Sequence, residues 1–532
     1  MMIFFTILLM NYLLILNINR YMIVRKGVRI PNILNDAFKD TKLTLYNTKD
    51  PNELLKYYHD RLSPNTKNKN DRGEVFTPIK LVEEMLDKLP EDVWSNPNLK
   101  WLDPATGIGN FPYCVYMRLM KGLRGKIPNE EKRRKWILEE MLYMVEIDKM
   151  NVFVLKQIFC GRKYKLNVFE GSFIKETNNK NVDILFGNKV INKEDNLKFE
   201  KNIKDIKFDI IMGNPPYNEG GIKSKKSKKN INLREKNENE KKTIWNFFIH
   251  FSFNKLKENG YLTFITPLSW LKSTHNCHNL LLDKHIIYLQ LWDNSKSKQS
   301  INGEIPISIY LIHNLKNNKK IKTNIKIENL RQKYKSNYEI YLDKSNSIPL
   351  GFIPQLLKLK DFIIKNKCHL EYKNIKSTKS ELLFHKKTKL PDLNKIKLKD
   401  NYCIDSYTIK EGYLGNKTNK QHPDADKRKL IISNKATLDG LFIDEGKLGI
   451  CGNDNYYILG NNLELIKKIF DFKIIKIASL FTKFRQNFMD TDLFKFYVPD
   501  LRKLGYKNIT EDKLYKLIGL IKNEIIEIKN FL

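Results

Sequence analysis

The chain has 532 residues, and 95 lysine and arginine residues against 60 aspartate and glutamate residues give it a formal net charge of +35. Hydrophobic residues make up 41% of the chain, which excludes a disordered protein, and six cysteines in no zinc-binding or dense disulfide spacing favour a reducing compartment. The charge favours a polyanionic partner, nucleic acid before an anionic membrane, although the lysine, asparagine and isoleucine bias of an AT-rich genome would raise it without any binding role.

The amino-terminal segment, residues 1–30, begins with an apolar run from Met1 to Ile18. Its length would permit a marginal transmembrane helix or anchor, but a signal peptide would carry positive charge before the run rather than after it. We favour a start codon assigned too far upstream, with Met22 as the true start, and a cytoplasmic or DNA-associated protein. Residues 31–72 are predicted to form a polar, helical extension.

From residue 73 to residue 315, apolar strand-like runs alternate with amphipathic helical stretches, a pattern typical of a doubly wound α/β domain. Residues 316–532 are rich in lysine and have shorter, less regular apolar runs, so we expect a separate α+β domain there. The predicted strands of the first domain are Leu99–Leu102, Met141–Val145, Phe208–Met212, Tyr261–Ile265 and Ile305–Ile312.

The first informative motif, Asp103–Phe111, reads D-P-A-T-G-I-G-N-F and follows the first predicted strand. Its glycines, Gly107 and Gly109, let the backbone approach a ligand closely, and the Asp103 carboxylate can accept hydrogen bonds from an ammonium or hydroxyl group. The full G-x-G-x-x-G pattern and the P-loop lysine are absent, which argues against dinucleotide or triphosphate binding. An ordinary tight strand-to-helix turn is the alternative.

The second motif is Glu146 at the end of the next predicted strand, followed by Ile147. A carboxylate at this position binds ribose hydroxyls in doubly wound folds, but it usually lies about 20 residues after the glycine-rich turn. The 43 residues between Asp103 and Glu146 indicate a lengthened helical element over Lys121–Glu140. Taken by itself, Glu146 could equally be a solvated carboxylate at a strand end.

The third motif, Asn214-Pro215-Pro216-Tyr217, follows a strand that ends in Gly213. The two prolines force an extended turn, which directs the Asn214 side-chain oxygen and the Pro215 carbonyl into the same space. Two acceptors held together suit a planar exocyclic amine, and Tyr217 offers a ring for stacking on a nucleobase.

In this order, the three motifs resemble those of the γ-class adenine-specific DNA methyltransferases of type II restriction–modification systems. Arg72–Pro78 is similar to the G-x-x-F-T-P element of that family, and Gly260–Trp270 is similar to its G-x-L-x-F-I-T-P strand. The resemblance covers residues 72–315 and implies a Rossmann-like methyltransferase domain that uses S-adenosylmethionine, with a target-recognition domain after it. It also implies that Asn214, Pro215, Pro216 and Tyr217 are catalytic and that the cofactor is bound by Phe76, Thr77, Pro78, Asp103, Pro104, Gly107, Gly109, Phe111, Glu146, Ile147 and Ser172.

Ser172 is a departure from the family pattern, which usually has an aspartate at the end of the third strand to contact the cofactor adenine. A serine hydroxyl accepts a hydrogen bond more weakly than a carboxylate does, so the substitution bears on cofactor affinity rather than on the fold. A second strand-like run, Val182–Asn188, imitates the catalytic strand but lacks the Pro-Pro-Tyr sequence. We interpret this run as an insertion.

The implied reaction needs no metal and requires the target adenine to flip out of duplex DNA. The basic segment Lys223–Lys242 would contact phosphates or form a solvated insertion, and Asn434–Thr437 and Lys483–Asn487 are candidate base-reading loops. A separate restriction endonuclease could act with this protein, which we expect to be a monomer.

Three other functions remain open at this point. The same motif serves enzymes that methylate RNA or protein glutamine, because any planar amine suits the pocket. A DNA-binding homologue that has lost methyl transfer is the second alternative, supported by Ser172. A fused restriction–methylation enzyme is the third, but the first 70 residues are too short for a nuclease domain and contain no nuclease pattern.

Overall fold

The computed structural model describes 11 stretches of the chain: residues 77–159, 163–171, 206–218, 243–316, 321–342, 347–374, 388–408, 410–433, 438–451, 455–483 and 489–531. Several sequence predictions lie outside the described residues. They are the segments 1–30 and 31–72, Phe76, Ser172, Val182–Asn188, the basic segment Lys223–Lys242, Asn434–Thr437 and residues 484–487.

Nine strands of the described residues form one mixed sheet with the order β3-β2-β1-β4-β5-β7-β6-β8-β9. The strands β1 to β5 are parallel where they pair, β7 runs antiparallel between β5 and β6, and β9 runs antiparallel at the edge. The strands are β1 (Trp101–Asp103), β2 (Leu142–Glu146), β3 (Asn167–Glu170), β4 (Phe208–Gly213), β5 (Leu256–Pro267), β6 (Lys284–Trp292), β7 (Ile307–Lys316), β8 (Thr323–Asn329) and β9 (Tyr334–Ile340).

Helices cover both faces of this sheet, which confirms the predicted doubly wound α/β fold. The strand order reverses between β1 and β4, where folds of this kind bind ligands at the carboxyl ends of the strands. The helices up to residue 365 are α1 (Ile79–Leu86), α2 (Asn110–Gly122), α3 (Glu130–Trp136), α4 (Lys149–Ile158), α5 (Trp245–Lys255), α6 (Asn276–Leu282), α7 (Asn294–Ile301) and α8 (Ile353–Lys365).

Alternation along the central strands divides the interior into two cores, one on each face. Trp101 and Met144 pack with α1 and α2 in one hydrophobic cluster, whereas Leu102 and Val145 pack with α5 and α6 in the other. Successive residues of a strand point to opposite faces, so these continuous apolar runs fill both cores at once. This two-sided burial holds the carboxyl ends of the strands in a fixed position.

The sheet continues past residue 315, where the sequence pattern places the end of the first domain. Strands β6, β8 and β9 were not predicted, and β8 and β9 extend the sheet to Ile340. In β8, buried Ile325 and Ile327 alternate with more exposed polar residues, so no continuous apolar run marks the strand. At the edge of the sheet, β9 carries exposed Lys335, Asn337 and Glu339, and charged and polar residues of this kind protect an open edge from other chains.

The residues after α8 form two small sheets and five further helices within the described part of the chain. One sheet has the order β10-β12-β11-β15 and the other β14-β13-β16. The strands are β10 (Thr388–Lys389), β11 (Tyr402–Thr408), β12 (Gly412–Lys417), β13 (Arg428–Ser433), β14 (Phe442–Glu445), β15 (Gly449–Ile450) and β16 (Asn455–Leu459), and the helices are α9 (Leu463–Asp471), α10 (Lys473–Phe481), α11 (Asp492–Phe496), α12 (Glu511–Leu517) and α13 (Lys522–Phe531). None of the helices in the described residues is long and apolar enough to cross a membrane.

The helix α13 closes an aromatic cluster beside β9. The Phe531 ring lies 5.7 Å from Tyr334, 5.0 Å from Phe352 and 5.5 Å from Phe481, measured between ring centroids. Because these rings pack together, we expect Phe531→Ala to lower the free energy of unfolding by about 2 kcal/mol in a urea titration. Ile521→Ala is the control, since Ile521 is 60% exposed, and an equal effect of the two changes would contradict the packing role.

Candidate functional site

Three of the predicted polar residues lie together at the carboxyl edge of the main sheet. Asp103 ends β1, Glu146 ends β2, and Asn214 directly follows β4. The strands β2, β1 and β4 are neighbours and run parallel, so their carboxyl ends meet at the same edge. The structure thus brings together residues that are more than 100 positions apart in the sequence.

The loop after β1 is fixed by backbone hydrogen bonds. The Ala105 N–H donates to Asp103 Oδ1 over 3.1 Å, and the Thr106 N–H donates to the Val145 carbonyl over 3.0 Å. Gly109 then has a φ of +101° and precedes α2, and a Cβ at this position would lie 2.6 Å from Leu155 Cδ2. Residues with a Cβ rarely adopt this backbone angle, so the position favours glycine.

The Asp103 carboxylate is buried, and among the described residues only its Oδ1 atom accepts a hydrogen bond. Its Oδ2 atom has no hydrogen-bond partner among the described residues. Burial raises the pKa of Asp103 to about 8, repulsion from Glu146 adds to the rise, and the Ala105 N–H opposes it. A buried acceptor of this kind is costly unless a donor reaches it, so Oδ2 marks a position for a ligand ammonium or hydroxyl group.

The Glu146 carboxylate holds two turns of backbone. Its Oε2 accepts the Gly107 N–H and its Oε1 accepts the Asp148 N–H, each over 2.7 Å. Glu146 therefore joins the glycine-rich loop to the end of β2.

The Asn214 amide is held on one side only. Its Nδ2 donates to Thr77 Oγ1 over 3.2 Å, while its Oδ1 is buried and has no partner among the described residues. Gly213, just before it, has a φ of +150°, and a Cβ there would lie 2.8 Å from Asp103 Oδ1. The end of β4 thus passes directly beside Asp103, which places the Asn214 amide next to the glycine-rich loop.

Tyr217 closes the turn after the two prolines. Its backbone carbonyl accepts the Ile244 N–H over 3.1 Å, which fixes the turn against the start of α5. The residue is partly exposed, but its hydroxyl is buried without a partner among the described residues, and burial raises the pKa of Tyr217. The hydroxyl is therefore buried while part of the residue remains exposed.

The remaining predicted residues differ in accessibility. Phe111 is buried in the core with α1 and α2, and Pro104 is also buried. Ile147 and Pro78 are partly exposed. Within the described residues, no group of three or more histidine, cysteine, aspartate or glutamate side chains could hold a metal ion.

Sequence reasoning missed Asn110, the first residue of α2. Its Nδ2 donates to the Thr77 carbonyl over 2.7 Å, and its Oδ1 is buried without a partner in the described part of the chain. The signal available in the sequence was its place directly after Gly109, at the amino-terminal end of the predicted helix. Nothing in the sequence indicated that Asn110 contacts Thr77, 33 residues away.

Residues 140–299 match the family described as Eco57I restriction-modification methylase. The match covers less than a third of the chain. The matched segment contains β2 to β5 and the Asn214–Tyr217 turn, and so includes the Asn214 oxygen that has no partner among the described residues. The resemblance to adenine-specific methylases that the motifs indicated is confirmed.

Two curated relatives match part of the chain. An uncharacterized adenine-specific methylase of Mycoplasma pneumoniae is 30% identical over 40% of this chain and 58% of its own length. The type II restriction enzyme and methyltransferase RM.Eco57I of Escherichia coli is 24% identical over 38% of this chain and 24% of its own length. The chain thus spans less than two thirds of either relative.

The chain also matches the solved structure of a nuclease-deletion mutant of the type ISP restriction-modification enzyme LlaGI in complex with a DNA substrate mimic. The match has a TM-score of 0.46 and 11% sequence identity, and it covers 91% of this chain and 58% of the other. The fold assignment rests instead on the strand order of the sheet.

Proposed function

We propose that this protein transfers a methyl group from S-adenosylmethionine to the N6 amine of adenine in DNA. The observation that carries the proposal is the buried Oδ1 of Asn214, which has no partner among the described residues and lies at the carboxyl end of β4, beside Asp103. A hydrogen-bond acceptor held in this way suits a planar amine that brings its own N–H donors. The match of residues 140–299 to a methylase family and the name of the Mycoplasma pneumoniae relative support adenine as the target.

The residues around Asp103 fit the cofactor. Asp103 Oδ2, which has no partner in the described part of the chain, would accept a hydrogen bond from the ammonium group of the methionine moiety. Glu146 would accept hydrogen bonds from the ribose hydroxyls. Gly107 and Gly109 leave the loop open to close approach. When bound, S-adenosylmethionine supplies an electrophilic methyl group on a sulfonium centre.

The residues after β4 would activate the amine. The lone pair of adenine N6 is delocalised into the ring, so the nitrogen is a poor nucleophile until it becomes pyramidal. Hydrogen bonds from its two N–H groups to Asn214 Oδ1 and to the Pro215 carbonyl would stabilise this pyramidal, more positive nitrogen in the transition state. The target adenine has to leave the duplex to reach these acceptors, and Tyr217 would form one wall of its pocket.

The partners follow from this reaction and are part of the proposal. Duplex DNA is the substrate, a separate restriction endonuclease would be the companion in a restriction–modification pair, and the part of residues 316–532 that follows β9 would supply target recognition. The catalytic residues are Asn214, Pro215, Pro216 and Tyr217. The cofactor-binding residues include Asp103, Gly107 and Glu146, and the motif assigns Ser172 to the same site.

A methylation assay on unmethylated duplex DNA, on RNA and on protein substrates tests the proposal. We expect N6-methyladenine in the DNA after incubation with S-adenosylmethionine, and no methylation of RNA or of protein glutamine. Methyl transfer to RNA or to glutamine in place of DNA would contradict the proposed substrate while retaining the amine chemistry. A protein that binds the cofactor but modifies none of the three would contradict the enzymatic function.

The raised pKa of Asp103 predicts that cofactor binding depends on pH. The free carboxyl group is largely protonated below pH 8, and accepting a ligand ammonium requires its ionised form. We expect the affinity for S-adenosylmethionine to increase between pH 6 and pH 7.5, by up to about tenfold per pH unit, with release of one proton on binding.

Calorimetry in two buffers of different ionisation enthalpy measures both quantities. Asp103→Asn provides the matched control, because an amide cannot ionise, and it should bind the cofactor weakly with no pH dependence in this range. An unchanged pH dependence in this variant would show that a group other than Asp103 releases the proton when the cofactor binds. The interval stays below pH 8 because the cofactor's own amine, like other α-amino groups, titrates near pH 8.

A further inference from the structure

We propose that Thr77 orients the side-chain amide of Asn214 for methyl transfer and that Asn110 holds Thr77 in place. This inference rests on the proposed function, and it makes Thr77 and Asn110 positioning residues for the catalytic amide. The family resemblance places Thr77 in the cofactor-binding element, whereas its hydroxyl contacts the Asn214 side chain in the structure.

The orientation of the Asn214 amide decides whether it can act. Its oxygen accepts hydrogen bonds and its nitrogen only donates them, so a flipped amide would direct donors at the N–H donors of a target amine. Because Nδ2 donates to Thr77 Oγ1 over 3.2 Å, Oδ1 is turned to the opposite side, where it has no partner among the described residues. The contact with Thr77 thus leaves Oδ1 of the amide available to accept a hydrogen bond from the substrate.

Thr77 is itself held by a second contact. The Nδ2 of Asn110 donates to the Thr77 carbonyl over 2.7 Å, and both residues are about 95% buried. Asn110 begins α2, and Thr77 precedes Pro78 and the start of α1. The chain of contacts from Asn110 through Thr77 to Asn214 therefore joins two helices and the end of β4, and it connects the glycine-rich loop with the catalytic turn.

The hydroxyl of Thr77 is the group that accepts the hydrogen bond from Asn214 Nδ2. Without an acceptor at this position, the buried Nδ2 of Asn214 would be left unsatisfied, and the amide would turn to find a partner. A displacement of the reacting groups by about 1 Å can reduce the rate by about 100-fold. The loss should therefore appear in the chemical step and not in the binding of the cofactor.

The experiment compares Thr77→Val, which keeps the shape of the side chain but removes the hydroxyl, with Thr77→Ser, which keeps the hydroxyl. Purified full-length variants are assayed on unmethylated duplex DNA for kcat and for the KM of S-adenosylmethionine. We expect Thr77→Val to lower kcat about 10- to 100-fold with a KM within about twofold of the wild-type value. Thr77→Ser should restore kcat to within about threefold of wild type.

Asn110→Ala tests the second contact, and the double variant Asn110→Ala with Thr77→Val tests whether the two act together. Because both changes act on the same amide, the double variant should lose little more rate than Thr77→Val alone. Losses that multiply would assign Asn110 a separate role and overturn the second part of the inference.

A wild-type kcat in Thr77→Val would overturn the role of Thr77. A raised KM for S-adenosylmethionine with kcat retained would overturn it too, because that result would place Thr77 at the cofactor. Equal losses in Thr77→Val and Thr77→Ser would also overturn it, because the hydroxyl would then not be the part that matters. Wild-type protein that methylates no DNA adenine would overturn the proposed function itself, and the inference with it. The wild-type assay therefore separates the two failures.

Discussion

Asn214→Ala is expected to lower kcat for adenine methylation at least 100-fold while leaving cofactor binding within about twofold of the wild-type value. The change removes the side-chain acceptor that would stabilise the pyramidal nitrogen of the target in the transition state. It leaves Asp103 and Glu146 in place, and these are the carboxylates proposed to bind the cofactor. Single-turnover methylation and calorimetry with S-adenosylmethionine measure the two effects separately.

The stability of Asn214→Ala provides a second test of the same assignment. The wild-type Oδ1 is buried with no partner among the described residues, which costs about 1–3 kcal/mol in the folded state. Removing it offsets the loss of the bond from Nδ2 to Thr77, so we expect the free energy of unfolding to change by less than about 1 kcal/mol.

The exposed Asn461 serves as a matched control, and Asn461→Ala should change neither activity nor stability. Near-normal turnover in Asn214→Ala would mean that the acceptor has been assigned to the wrong residue. Loss of activity that is accompanied by unfolding would instead assign Asn214 a structural role.

Gly213→Ala is expected to destabilise the protein by about 2–4 kcal/mol and to weaken cofactor binding at least tenfold. A φ of +150° is a backbone conformation that residues with a Cβ rarely adopt, and the added Cβ would lie 2.8 Å from Asp103 Oδ1. Relief of this contact requires Asp103 or the end of β4 to move. Both are parts of the proposed site, so stability and binding should fall together.

Gly505→Ala separates strain in the backbone from the contact with Asp103. Gly505 also has a positive φ, of +78°, but an added Cβ there would meet nothing within 4 Å. We expect this control to cost about 1 kcal/mol and to leave cofactor binding unchanged. Urea unfolding and calorimetry on both variants measure the difference.

A double-mutant cycle tests the contact directly. In an Asp103→Ala background the clashing oxygen is absent, so Gly213→Ala should cost less than it does in the wild-type protein. An equal cost in both backgrounds would show that the strained φ accounts for the whole effect.

The sequence by itself determined the central strands and the residues that end them. The strands β1, β2 and β4 are short apolar runs that stop at Asp103, Glu146 and Gly213, and each stop is marked by a carboxylate, a glycine or a proline nearby. Signals of this kind are local, because a buried strand needs a continuous apolar run and its turn needs residues that allow a sharp change of direction. The order of the three motifs was also enough to indicate the methylase family that residues 140–299 match.

The sequence did not indicate the extension of the sheet by β8 and β9. The strand β8 alternates buried Ile325 and Ile327 with polar Asn324 and Lys326, and β9 carries exposed lysine, asparagine and glutamate. Their composition therefore resembles that of the lysine-rich loops around them. Their place in the sheet depends on pairing with β6, which is parallel to β8 and lies more than 30 residues earlier. Pairing between distant strands leaves no mark in the local sequence.

Only the tertiary structure decided how the site is assembled. No sequence pattern links Thr77 to Asn214, which lies 137 residues away. The contact exists because α1, α2 and β4 pack at the same edge of the sheet. The same packing buries Asp103 Oδ2 and Asn214 Oδ1 and leaves them without partners in the described residues. Local sequence specifies which groups can accept a hydrogen bond, but the burial that leaves those groups available to a ligand depends on the long-range packing of the whole sheet.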